Sequence, residues 1–246
     1  MGLPELTFSL KKAADTIATR VSAGIVAMIL KDASANGVHT IYRESDIPSG
    51  LGAENVAAIK RVMTGYINKP AIVYVSVIPS SGTIADGFNA LSAYSYDYIV
   101  GPPDISAEDA TALATLVTAA RTGRYIGKAV LPGTEANDEG VVNFDADNIK
   151  VGSATFTDAA FAGRVAGVLA GTPVDCSATY AALPEVTGVD AVADPDGAID
   201  AGKLILIDDG RHVKLGRAVT SKTTLAANEP EMLKKIKLVA AVDLIR

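Results

Sequence analysis

A lysine beside two closely spaced glycines is the first feature of this sequence that could do chemistry. A phosphate-binding loop requires G-x-x-x-x-G-K-[ST], because backbone amides wrap the phosphate while the lysine and hydroxyl reach phosphate and metal. The stretch Gly123 to Ala129 (GRYIGKA) is one residue short and has Ala129 where the hydroxyl belongs. It reads instead as a helix stop followed by a strand. Gly163, Gly167 and Gly171 recur at intervals of four in AGRVAGVLAGTP, which places them on one helical face. Helical glycine costs roughly 1 kcal/mol against alanine, so this spacing predicts close packing against a neighbouring element, within the chain or between subunits. The two histidines, His39 and His212, have no Cys, Asp or Glu at ligand spacing. The single cysteine, Cys176, follows Pro173 with no neighbouring base and reads as a small, half-buried apolar residue. Glu135, Asp138, Glu139, Asp145 and Asp147 cluster without the spacing or glycine of a calcium loop. No catalytic, cofactor-binding or metal-binding residue is assigned.

Composition narrows the classes further. The 246 residues suffice for one large domain with appended arms, and 49% are hydrophobic against 20% charged, which excludes disorder as the main state. A net charge of -6, only 5% aromatics and no Trp argue against a nucleic-acid surface built on phosphate contacts and base stacking. One cysteine excludes an intramolecular disulfide framework and points to a reducing compartment. No apolar run reaches the roughly 18 to 20 residues of a membrane span. The start, MGLPELTFSLKK, lacks the basic and then apolar order of a secretory signal.

The elements that must position these residues follow from periodicity. Gly24 to Leu30 (GIVAMIL), Ala71 to Ile78 (AIVYVSVI) and Tyr96 to Val100 are apolar runs of strand length, branched enough to be buried on both faces. Gly127 to Leu131 is a further strand. Val56, Ile59 and Met63 mark a helix that stops at Gly65, and Leu113, Leu116, Val117 and Ala120 mark another, opened by a capping box of Ser106 and Asp109 and stopped at Gly123. Pro132 to Asn148 reads as a long loop. Lys203 to Ile207 and His212 to Leu215 flank an Asp-Gly turn and predict an antiparallel hairpin. The fold expected is α/β of mixed α+β type: a layered domain with a mixed sheet and a C-terminal β-hairpin.

The two ends carry a different message. Leu6, Phe8 and Leu10 alternate with polar residues ahead of the first buried run and predict a short one-sided strand in an extended N-terminal arm. From Asn228, Pro230 and Glu231 onward, Leu233, Ile236, Leu238, Val239, Val242, Leu244 and Ile245 predict an apolar helix continuing to Arg246 with no closing Gly, Asn or Pro. Such a helix implies a shortened chain or completion by another subunit.

Four stretches carry a resemblance. GLPELTFSLKKAADTIATRVSAGIVAMILKD, AGRVAGVLAGTPVDCSATYAALPEV, GKLILIDDGRHVKLGRAVTSKTTL and KKIKLVAAVDLIR are similar to contractile-tail sheath proteins of phages and phage-like particles from Gram-positive bacteria. The last two resemble the family's hairpin, its R-x-V-[NT]-S junction and the helix opening its C-terminal domain. The match runs with gaps from about Gly2 to Arg246. It departs at Lys222, where the family usually has Leu, and at the end, where the family continues into a further domain and arm.

The resemblance implies an N-terminal arm over 1–22, a sheath core over 23–225 and, over 226–246, the opening helix of a shortened C-terminal domain. It implies a structural subunit, not an enzyme, that stacks as hexameric rings around a tail tube, joins a baseplate and shortens to drive the tube through an envelope. Assembly would take place in the bacterial host cytoplasm, and the product would be a virion tail or tail-like particle. Neither a cofactor, nor nucleic acid, nor membrane insertion is implied. Arms of the family add strands to neighbouring sheets, and Leu6, Phe8 and Leu10 suit that subunit contact. The alternative is an α/β enzyme with a phosphate or nucleotide site built from loops at strand ends, at Gly101 to Asp104 and Pro132 to Glu135.

Overall fold

The computed structural model describes residues 24–123, 125–227 and 229–245. The arm residues Leu6, Phe8 and Leu10 lie outside the described residues.

Eleven strands and six α-helices follow one another among the described residues. β1 (Ile25–Lys31) sits at the heart of an eight-stranded sheet, and Val26 to Leu30 are at most 2% exposed. Burial of each such side chain contributes about 1.5–3 kcal/mol, which is why an uninterrupted branched run settles between two layers. β3 (Ile72–Ile78) and β4 (Tyr98–Val100) flank it in parallel, with Met28 opposite both Val75 and Val100. β5 (Lys128–Pro132), β6 (Val141–Asp145) and β10 (Lys203–Asp208) extend the parallel block. β2 (Gly37–Ile41) and β11 (Val213–Leu215) close the two sides antiparallel to β3 and β10, giving the order β11-β10-β6-β5-β4-β1-β3-β2. β7 (Ile149–Val151), β8 (Ala154–Phe156) and β9 (Val186–Gly188) form a separate small antiparallel sheet. The mixed α/β fold class and the Asp-Gly hairpin read from sequence are both present.

Helices cover both faces. α1 (Ala53–Met63) and α4 (Asp158–Ala170) pack on one face through Ala58, Ile59, Val62, Phe161 and Val165. α2 (Ile84–Ala90) and α3 (Ala107–Thr122) cover the other through Ile84, Ala110, Leu113 and Val117. The glycine spacing of α4 is explained within the chain: a Cβ on Gly167 would run into the backbone carbonyl of Val62 on α1. The two helix backbones therefore approach to a distance that only glycine permits.

Three expectations are corrected. Pro132 to Asn148 is not one loop, because β6 lies inside it. Val141, Val142 and Phe144 are fully buried, but so short an apolar run between Asp, Gly and Asn residues is easily taken for loop. Ser106 caps α3 by accepting from the Asp109 amide at 3.1 Å, but the reciprocal half of the box is replaced: the Asp109 carboxylate accepts instead from Lys31 Nζ at 2.8 Å. The C-terminal helix is not continuous from Pro230. A 3₁₀ turn over Glu231–Lys234 ends at Lys235, whose extended backbone (φ -114, ψ 119) bridges to Val219, and α6 (Ile236–Asp243) starts afresh. Its apolar face has a partner in the chain itself, since Ile236, Val239 and Asp243 are buried at i, i+3 and i+7.

Candidate functional site

The residues that could have done enzymatic chemistry are dispersed. Nε2 of His39, on β2, lies 2.7 Å from the Ala35 carbonyl oxygen, and His212 is exposed in the β10–β11 turn. Cys176 is a free, half-buried thiol. Among the described residues no three His, Cys, Asp or Glu side chains converge as a metal site, and no helix is long and apolar enough to cross a membrane. The loop after β5 borders a groove of about 440 Å³ against α3. Three of its threonines, Thr111, Thr115 and Thr122, donate to carbonyls of their own helix, and Glu135 is the one titratable side chain among its described lining residues.

Lys128, the lysine of the short glycine motif, has a different task. It lies at the start of β5, fully buried, and its Nζ donates to Asp243 Oδ2 at 2.9 Å. Arg121, in the last turn of α3, donates to the same carboxylate through Nη1 at 3.2 Å and Nη2 at 3.0 Å. Glu139 stands 3.8 Å from Arg121 Nη2 and brings a second negative charge. Burial pushes the Lys128 ammonium below its ordinary pKa, and the adjacent Asp243 charge works against that shift. Lys128 Nζ also lies 5.1 Å from the centre of the Tyr98 ring. Tyr98 is held well above the usual phenol range, first by burial and then by the Asp97 and Asp243 charges.

This ion cluster fixes where α6 leaves the domain. Backbone bonds complete the seam: Ile236 N donates to Ala218 O at 3.2 Å, and Thr220 N to Lys234 O at 3.0 Å. Beyond Asp243 the apolar surface turns outward, with Leu244 38% and Ile245 88% exposed. A second ion pair, from the buried Arg164 Nε to the half-buried Glu185 Oε1 at 2.6 Å, ties α4 to the segment before β9, while Arg164 Nη1 donates to Gly65 O at 2.6 Å. Sequence reasoning missed the Asp243 cluster. Its partners stand 122 and 115 residues away, and the only signal was a carboxylate inside an apolar helix.

The sheet margins differ. The outer side of β11 is covered by the segment before β9, where Leu215 N donates to Ala181 O and Leu183 N to Val213 O, both at 2.9 Å. Among the described residues β2 pairs with β3 alone, leaving its other side as a strand edge.

The buried charges of this three-layer domain hold α6 and α4 against their neighbours. Comparison with known proteins supplies the family. The tail sheath protein of Clostridium phage phiCD119 is 33% identical over 252 residues, covering 99% of this chain and 70% of the relative. The sheath tail protein of Listeria innocua shares the fold at a TM-score of 0.79 and 13% identity, over 94% of this chain and 77% of that one. The Desulfitobacterium hafniense sheath tail protein does so at 0.75 and 12%, over 90% and 77%. A chain of the anti-feeding prophage baseplate matches at 0.68 and 11%, over 91% and 68%. No family model matches. The chain belongs to the tail sheath protein family of contractile phage tails, and it is a structural sheath protein.

Proposed function

We propose that this chain polymerises as stacked hexameric rings around a tail tube, docks on a baseplate, and contracts to drive the tube through a target envelope. The observation that carries this reading is the 33% identity to a phage tail sheath protein across 99% of the chain. Contraction of such a sheath needs no catalytic step, because energy stored in a metastable packing is released when subunits repack. Assembly takes place in the cytoplasm of the bacterial host, and the product is a virion tail or tail-like particle. The chain divides into an arm over 1–22, a core over 23–225 and, over 226–246, a segment opening a further domain. Leu6, Phe8 and Leu10 of the arm pair with a strand edge of a neighbouring subunit, burying one face. The unpaired side of β2 is an edge of the kind such pairing uses.

The test is ultracentrifugation followed by negative-stain microscopy of the purified protein, alone and co-expressed with a tube protein. Sedimenting tubes with a regular axial repeat are expected. Protein that stays dispersed in both preparations contradicts the reading.

A further inference from the structure

The charges of the C-terminal third are sorted along the chain. Residues 165–202 contain six acids, Asp175, Glu185, Asp190, Asp194, Asp196 and Asp200, and no Lys or Arg. Residues 211–245 reverse the sign, with seven Lys or Arg against Glu229, Glu231 and Asp243. The fold turns this sorting into two surfaces. The acidic one is the segment leading into and through α5 (Pro195–Asp200), where Asp190, Asp194, Asp196 and Asp200 are all exposed and none is in an ion pair among the described residues. Asp194 and Asp190 engage only neutral donors, the Gly197 amide at 3.0 Å and the Asn148 side chain at 2.6 Å.

The basic surface is a cleft of about 240 Å³ between the chain after β11 and the 3₁₀ turn. Arg217, Lys222, Lys234 and Lys235 line it against two acids, Asp200 and Glu231. Lys222 pairs with Glu229 at 3.1 Å, whereas Arg217, Lys234 and Lys235 have no carboxylate within salt-bridge distance among the described residues. In a chain of net charge -6, such a concentration of unmatched cations is an uneven distribution that a neutralising partner would relieve.

We propose that this cleft receives the acidic segment Asp190 to Asp196 of a second copy of the chain. The inference rests on the self-assembly reading above and names one of its contacts. A second copy is the partner favoured because the complementary surface is on the same chain. Asp200, at the end of α5, borders the cleft, but Asp190 to Asp196 do not line it, so the contact is heterologous: each copy gives one surface and receives through the other, and the contact propagates head to tail. Half-exposed charge pairs of this kind set register and association rate and weaken with salt.

The test mixes ¹⁴N- and ¹⁵N-labelled protein and couples carboxylates to lysines with a zero-length carbodiimide. Heavy–light links joining Lys222, Lys234 or Lys235 to Asp190, Asp194 or Asp196 are expected, with about a tenfold loss of these links in K234E/K235E, corresponding to several partly screened pairs. Mixing K234E/K235E with D194K/D196K restores them; both pairs lie at the surface, and circular dichroism checks that each variant is folded. Copies that associate without these links overturn the contact while leaving the sheath reading intact. These links in concentrated protein that forms no tubes support the contact and count against the tube. If K234E/K235E instead abolishes retention of a single-stranded DNA probe, with no heavy–light links in the wild type, the cleft serves a polyanion and the proposal falls.

Discussion

Replacing Asp243 by Ala tests whether α6 is held by charge. The carboxylate is 5% exposed and accepts from Arg121 at 3.0 and 3.2 Å and from Lys128 at 2.9 Å. Its removal leaves two buried cations facing, among the described residues, Glu139 at 3.8 Å from Arg121 and the Asp97 charge that acts on Lys128. Stripping one partner from a buried ion pair costs about 3–5 kcal/mol, because the abandoned charge stays desolvated. Loss of the Lys128 proton sets a ceiling on the penalty, since burial already depresses its pKa. At about 2–4 °C per kcal/mol for a chain of this size, Tm should fall by roughly 6–20 °C. Calorimetry gives the shift, and amide exchange over Ile236 to Asp243 shows whether α6 loosens first. The double variant Asp243→Asn with Lys128→Met should lose less than Asp243→Asn alone, because it removes a charge of each sign. A Tm within about 2 °C of wild type for Asp243→Ala would refute the reasoning.

Gly167→Ala should destabilise by about 1–3 kcal/mol, since its Cβ meets the Val62 carbonyl rather than a side chain that can turn away; Gly163→Ala, whose Cβ would stand 3.1 Å from Val62 Cγ2, should cost less in the same urea titration. Burial pushes the Tyr96 phenol from 10.0 up to about 12, and Tyr98 and Tyr125 shift the same way for the same first cause. A phenol raised in the folded state contributes stability that is fully present below pH 10 and lost as pH rises through 12. Absorbance at 295 nm should therefore show part of the tyrosine signal appearing late, together with unfolding, and Tyr96→Phe should reduce that late fraction. Deleting the residues before Thr16 should leave the thermal midpoint of the core almost unchanged and abolish tubes under the microscope; an unfolded core would make the arm an internal strand instead.

Most of the central sheet was legible because its strands are buried on both faces, where continuous branched runs leave little alternative. β1, β3, β4, β5 and β10 all begin and end within about two residues of the boundaries read from sequence. β6 was hidden by composition: five residues with a buried Asn143 at their centre, flanked by the vocabulary of loops. α6 was legible as a helix, but its break at Lys235 was not, because that break depends on a bridge to Val219 made only in the folded chain. The ion cluster shows the same limit more sharply. Lys128 was noticed for a motif it does not complete, while the carboxylate that explains it lies 115 residues further on. The glycine spacing of α4 could be interpreted at once as close approach, since no other residue type permits it, but naming α1 as the neighbour required the fold. The family was legible from its N-terminal stretch, its hairpin and its C-terminal helix.

Whether this protein forms a contractile sheath is decided by cryo-electron microscopy of tubes assembled from it around a tail tube. A sixfold ring is expected as the repeating unit, with the eight-stranded domain fitting as a rigid body. The rings should stack along a hollow axis and occur in a long and a shortened form. Closed particles without an axial repeat, or density that cannot accept the domain, would contradict it.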